Sequence, residues 1–145
     1  MMHCPYCSGK ETKVLESRIS EDSLRRRREC LTCENRFTTY ERAFYKFMVT
    51  KKDGREELFN MEKIKSGVLK ACGKAEEEPV LALTRRIEQK ILAKKQNPLK
   101  TTTIGKVVLQ ELKKFDKMAY VRFATIHKGI GDTKLLEMEL ELIAH

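Results

Sequence analysis

The sequence predicts an α+β chain in two parts: a small N-terminal β piece stapled by a metal ion, then a mainly helical domain that opens on a β-hairpin. Three observations carry this. Four of the five cysteines fall in two matched pairs, Cys4-Pro5-Tyr6-Cys7 and Cys30-Leu31-Thr32-Cys33. The dipeptide Asp53-Gly54 separates two extended runs, a strong short-range hairpin signal. From Asn60 onward apolar residues recur at helical spacing, beginning with Met61, Ile64, Val68 and Ala71 or Cys72.

Two residues between thiolates let both sulfurs of a tight turn face one ion at about 2.3 Å, and two such turns complete a tetrahedron. The pairs therefore predict a closed Cys4 site at Cys4, Cys7, Cys30 and Cys33. Zinc is the expected ion, although spacing alone does not separate it from iron. A redox motif needs one pair in a βαβ context, not two matched pairs. Four ligands leave no position for water or substrate, so the ion is structural and holds together a piece of roughly 45 residues with little core of its own. His3 is expected to be an exposed neighbour, and Cys72 an ordinary buried thiol.

The stretch between the pairs has room for a hairpin arm. Thr12, Val14 and Leu15 precede a turn expected around Ser20 to Ser23, and Arg36-Phe37-Thr38-Thr39-Tyr40 follows the second pair; both read as short strands. Arg25-Arg26-Arg27-Arg28 lies on the arm, with Arg18, Lys13 and Lys10 on its other side. Alternation along a strand presents two of the four guanidiniums to each face. The planar fork of arginine suits phosphate oxygens and the guanine edge, so the run is a candidate nucleic-acid contact.

In the second part, Phe44 to Thr50 and the segment ending at Leu58-Phe59 read as the hairpin strands, and Asn60 as an N-cap. A second helix carries Val80, Leu83, Ile87 and Ile91, opening near Glu78-Pro79 and closing before Asn97-Pro98. A third begins at Thr103 with Ile104, Val107 or Val108, Glu111 or Leu112, and Phe115 in register; a fourth runs from about Asp116 toward His127. Lys134 to Ile143 forms a further amphipathic helix with Leu135, Met138 and Leu142 on one side, suited to capping the domain or serving a partner chain. Lys51, Lys52 and Arg55 around the turn converge with Lys63 on the start of the first helix, where unpaired N–H groups also favour a triphosphate.

Composition narrows the function. In 145 residues, 30 Lys+Arg against 21 Asp+Glu give a formal charge of +9, which favours polyanions. With four thiolates and Zn²⁺ counted, this falls to about +7. No apolar run approaches a membrane span, and the N-terminus lacks the basic and apolar segments of a secretory signal, so a cytoplasmic protein is expected. No P-loop or catalytic constellation stands out, and the chain is not expected to be an enzyme.

The pattern His3-Cys4-Pro5-Tyr6-Cys7, Thr12-Lys13-Val14, Glu16-Ser17-Arg18, Arg25 to Cys30, Cys33 and Arg36-Phe37-Thr38-Thr39-Tyr40-Glu41 resembles the zinc ribbon of the NrdR family, bacterial-type repressors of ribonucleotide reductase genes. Val49 to Phe59 with Lys63-Ile64 is similar to the ATP-cone that follows the ribbon in that family, and Leu112 to Asp116 with Ala119 to Ala124 matches its last cone helix. The resemblance implies a zinc ribbon over 1–45, an ATP-cone over 46–130 and a C-terminal helical tail over 131–145. It implies zinc on the four cysteines and DNA at Lys13, Arg18, Arg25, Arg26, Arg27 and Arg28. It places ATP or dATP, with Mg²⁺, around Val49, Lys51, Lys52, Glu57, Lys63 and Tyr120, the lysines on phosphates and Glu57 nearer the nucleoside. It also implies nucleotide-dependent homo-oligomers on double-stranded operator DNA. The chain departs from the pattern in a short loop at Ser20 to Leu24, in Leu58 where Pro is common, and in His127 where Tyr is common. A second reading makes it an accessory nucleotide-sensing module that binds ribonucleotide reductase or another protein directly.

Overall fold

The computed structural model describes residues 2–20 and 23–144; the tip of the turn expected around Ser20 to Ser23 lies outside them. The chain divides into two compact units, 1–45 and 46–145.

The first unit is a three-stranded antiparallel sheet of order β1-β2-β3, with β1 at Thr12–Ile19, β2 at Leu24–Cys30 and β3 at Arg36–Glu41. Register pairs Thr12 with Cys30 and Arg28 with Phe37, and a bulge at Leu15 shifts β1 between Val14 and Glu16. The core is minimal: buried Cys4, Cys30 and Phe37, with Cys33 packed against them. So few apolar contacts cannot offset the ordering of some forty residues. The missing stabilisation has to come from the cysteine cluster.

In the second unit the Asp53-Gly54 turn joins β4 (Met48–Thr50) to β5 (Glu56–Leu58) as an antiparallel hairpin. Lys51 N–H donates to the Arg55 carbonyl at 2.7 Å, and Gly54 sits at φ 90° in the left-handed region that glycine tolerates. The expected hairpin gains a third member: β6 (Leu99–Lys100) pairs parallel with β4, giving the order β5-β4-β6.

Asn60 caps α1 (Met61–Cys72), its side chain accepting from Glu62 N–H. α2 spans Glu77–Ala93 and α3 spans Thr101–Phe115, starting two residues before the expected Thr103 because Thr101 Oγ1 donates to the Thr50 carbonyl at 3.0 Å and anchors the first turn on β4. Asp116 caps α4 (Lys117–His127) through Met118 N–H. One core joins all of them, with Val68, Leu83, Ile87, Leu99, Val108, Leu112, Ala119 and Ala124 at or near zero exposure. Cys72 belongs to it, and burial raises its thiol pKa.

Two buried carboxylates sit at helix contacts. Glu111 of α3 pairs with Lys90 and, at 3.5 Å, with Arg86, both on α2, and with Lys114 at 3.7 Å. The Lys90 ammonium is the main cause holding Glu111 below the usual carboxylate range. Glu139 lies on α5 (Thr133–Ala144), where it and Ile143 are the buried residues. It accepts from the Tyr120 hydroxyl and, at 2.8 Å, from Lys128 Nζ. Burial acts to raise its pKa, but these two donors hold it below the ordinary value, while burial and Glu139 push Tyr120 up to about 12. Among the described residues no helix is long and apolar enough to cross a membrane.

Candidate functional site

The two cysteine turns are built alike. In each, the first cysteine accepts a bond from the residue four places on, Ser8 N–H to the Cys4 carbonyl at 2.9 Å and Glu34 N–H to the Cys30 carbonyl at 3.0 Å. Each first cysteine also donates five places on, Cys4 N–H to Gly9 and Cys30 N–H to Asn35. Ser8 and Glu34, at equivalent positions, adopt φ 62° and 64°. This wrap points backbone donors at sulfur: Tyr6 N–H to Cys4 Sγ, Gly9 N–H to Cys7 Sγ, and Thr32 and Cys33 N–H to Cys30 Sγ, all at 3.3–3.4 Å. Gly9 has to be small, because a Cβ there would stand 3.1–3.3 Å from Thr32 Oγ1, Cys7 Sγ and Cys30 Sγ.

All four sulfurs lie within 4.8 Å of one another. Cys4 to Cys33 and Cys7 to Cys30 are both 3.6 Å, close to the edge of about 3.8 Å that a tetrahedron with 2.3 Å metal–sulfur bonds requires. Left to themselves the thiols cannot ionise together. The Cys33 and Thr32 amides pull Cys30 down to about 6, and the Asn35 amide lowers Cys33. Cys7, although the Gly9 amide acts to lower it, is pushed up to about 12 by Cys33 and Cys30 beside it. A divalent cation removes that conflict, so donor set, spacing and N–H···S shell all fit Zn²⁺. His3 is exposed and outside the set.

β2 carries the arginines along the middle of the sheet. Its register puts Arg25 opposite Arg18 and Arg27 opposite Glu16 on one face, and Arg26 opposite Ser17 and Arg28 opposite Val14 on the other. Arg28 is the most anchored, with Nε on Thr39 Oγ1 at 3.1 Å and a terminal nitrogen 3.4 Å from Thr12 Oγ1. Arg27 reaches Thr38 Oγ1 at 3.2 Å. Arg18 is held to Glu16 at 2.8 Å and Lys13 to Glu29 at 3.2 Å, so both share their charge with a carboxylate.

The second unit opens two adjoining cavities. The first, about 100 Å³, is lined by Val49, Lys51, Glu57, Phe59, Lys63 and Ile104 among others. Glu57 is its electrostatic centre, with Lys51 and Lys63 each 3.6 Å from one carboxylate oxygen and Arg55 3.9 Å from the other. The second, about 360 Å³, is lined by Lys51, Lys52, Asp53, Arg55, Thr101 and His127. Lys51 and Thr101 belong to both. The α3 N-terminus beside them has no side-chain cap and no acidic residue in its first turn, which leaves its positive end open to an anion.

Four of the six residues expected at a nucleotide, Val49, Lys51, Glu57 and Lys63, thus come together in the first cavity. Lys52 faces the second, where Nζ donates to the His127 carbonyl at 3.4 Å. Tyr120 lines neither cavity: its ring is in the core and its hydroxyl is taken by Glu139. Thr101 carries no signal in the sequence that points to this region, whereas His127 occupies the position where the family resemblance has a Tyr. His127 stacks on Phe123, with ring centroids 5.7 Å apart, and lies directly on Gly105 of α3. Burial, then Lys52 and Lys128, lowers its pKa below the ordinary 6.5.

A closed four-cysteine site on an arginine-bearing sheet, followed in the same chain by a helical domain with lysine-lined cavities, defines a zinc-ribbon protein with an appended helical domain. Comparison with known proteins resolves the class. A model described as the N-terminal domain of transcriptional repressor NrdR-like proteins matches residues 2–41, and the ATP cone domain model matches residues 47–130. A relative from Koribacter versatilis (strain Ellin345), named Transcriptional repressor NrdR, is 42% identical over 148 residues, covering 97% of this chain and 89% of its own. Proteins of the same name from Finegoldia magna (39% identical, 96% of both chains) and Albidiferax ferrireducens (44%, 90% of this chain and 91% of its own) agree. The chain belongs to the NrdR family.

Proposed function

We propose that this protein is a zinc-dependent DNA-binding transcriptional repressor of ribonucleotide reductase genes, whose cone binds ATP or dATP and thereby sets its oligomeric state and operator affinity. The carrying observation is the placement of four consecutive arginines on the central strand of a sheet stapled at Cys30. Fixed on that strand, Arg25, Arg27 and Arg18 form one cationic face for a phosphate backbone, with Lys13 at its edge. Arg26 and Arg28 occupy the other face, Arg28 bracing the strands as well as adding charge.

In the cone, the apolar floor of Val49, Phe59 and Ile104 suits a nucleoside beside Glu57, and the open cationic cavity of Lys51, Lys52 and Arg55 suits its phosphates with Mg²⁺. Phosphate oxygens would replace Glu57 as the partner of Lys51 and Lys63, so binding would rearrange an ion-pair cluster already in place.

Fluorescence anisotropy with the zinc-loaded chain tests the reading. A duplex from a ribonucleotide reductase promoter should bind more tightly than a scrambled duplex, and the preference should change between ATP and dATP. Arg25→Ala and Arg27→Ala should each weaken binding and reduce the salt slope by about one. Equal affinity for both duplexes in every nucleotide state would overturn the proposal.

A further inference from the structure

α5 uses only part of its apolar surface on its own domain. Glu139 and Ile143 are buried, yet Leu135, Met138 and Leu142 are 50%, 62% and 64% exposed. At 100° per residue these three fall within one narrow stripe, turned about a quarter of the circumference from the buried side. Lys134 and Glu141 flank it along the same edge, two turns apart, and neither makes an ion pair among the described residues.

We propose that this stripe is a self-association surface on which two copies of the chain pair α5 antiparallel, with Met138 at the two-fold axis. The inference rests on the homo-oligomeric reading above and names its surface. In that arrangement Leu135 faces Leu142 of the second copy. Lys134 lies four residues before Met138 and Glu141 three after it, so each Lys134 meets the other copy's Glu141 within about one residue's rise. The charges are thus self-complementary in the antiparallel sense, whereas parallel pairing sets like against like. A stripe of three apolar residues a side is less than a permanent dimer buries, about 2,000 Å² or more, which suits a reversible contact.

Sedimentation velocity on the zinc-loaded full chain, without nucleotide and with ATP–Mg²⁺ or dATP–Mg²⁺, tests this. Met138→Glu, which sets two carboxylates at the axis, should abolish the α5-dependent association. Lys134→Glu and Glu141→Lys should each weaken it about ten-fold, and the double charge swap should restore it to within about three-fold of wild type. Unchanged helical ellipticity and melting temperature in each variant, taken at a dilution where the wild type is monomeric, show that the domain is still folded. Association unaffected by Met138→Glu, or a double swap no better than either single, overturns the inference. A wild-type chain that stays monomeric in every nucleotide state sinks the homo-oligomeric reading itself.

Discussion

Gly105 permits a contact between α3 and α4 that a single methyl group should break. A Cβ built at Gly105 would stand 1.9 Å from His127 Nε2, 2.3 Å from Cε1 and 2.8 Å from Cδ2, roughly 1.5 Å short of ordinary contact. The ring cannot simply retreat along α4, because Phe123 stacks on it and itself lies 3.5 Å from where a Gly67 Cβ would be. It has to swing off the stack or push the helices apart. Overpacking of this kind costs about 1–3 kcal/mol, against a gain of about 1 kcal/mol from replacing a helix-interior glycine by alanine. Gly105→Ala should therefore lose about 1 kcal/mol net, lowering the cone melting temperature by about 4–8 °C. In a His127→Ala background the clash is gone and only the propensity gain remains, so the same change should stabilise by about 1 kcal/mol. The coupling energy between the sites is then about 2 kcal/mol. Urea denaturation of the four zinc-loaded proteins, followed by helical ellipticity, completes the cycle. If Gly105→Ala stabilises equally in both backgrounds, the ring does not sit on the glycine and the argument fails.

Chelation of the metal should collapse the ribbon and abolish DNA binding while most helical ellipticity survives, because the cone core contains no residue of the cysteine cluster; DNA binding that persists after zinc loss is verified by elemental analysis would contradict this. Tyr120→Phe removes a hydroxyl bonded to buried Glu139 and should cost about 1–2 kcal/mol of cone stability with no change in nucleotide affinity, whereas a nucleotide contact at Tyr120 would show the reverse pattern in paired melting and calorimetry. His127 has a folded pKa below its ordinary 6.5, so below that pH the unfolded chain takes up the proton first and cone stability should fall as pH drops through the interval. His127→Asn should flatten that part of the stability–pH curve, and an unchanged slope would assign it to another group.

Features that depend on neighbouring residues were legible in the sequence, and those that depend on a distant partner were not. The matched cysteine turns, the Asp53-Gly54 hairpin, the Asn60 cap and the start of a helix at about Asp116 all follow from local chemistry, and the structure contains each. β6 has two residues and pairs in parallel with a strand some fifty positions earlier, so it leaves no periodicity to detect. Periodicity placed Leu135, Met138 and Leu142 on one side of the last helix but gave no hint that Glu139 would be the buried residue. Only the Tyr120 hydroxyl and Lys128 make that tolerable, and both lie on the preceding helix and its cap. At the candidate site, Lys51 and Lys63 are legible because hairpin and first helix are adjacent in sequence, while Glu57 comes only with the family resemblance. His127 joins them only through the packing of α4 on Gly105, some twenty residues away in the chain.

The same geometry supplies a physical route for the proposed control of assembly. A bound nucleotide can shift an association equilibrium only through contacts that differ between the two states. His127 and Lys128 are consecutive at the end of α4, yet they serve different partners: the His127 carbonyl accepts from Lys52 at the cationic cavity, and Lys128 holds Glu139 of α5. A phosphate that draws Lys52 away releases the carbonyl at the helix end, one residue from the ion pair that orients α5. The required displacement is small, because Lys52 Nζ and the carbonyl oxygen are already at 3.4 Å. Lys52→Gln separates the two roles. It should weaken phosphate binding and also uncouple whatever binding remains from the association state, whereas Lys63→Gln, whose side chain pairs with Glu57 and does not reach the end of α4, should weaken binding alone.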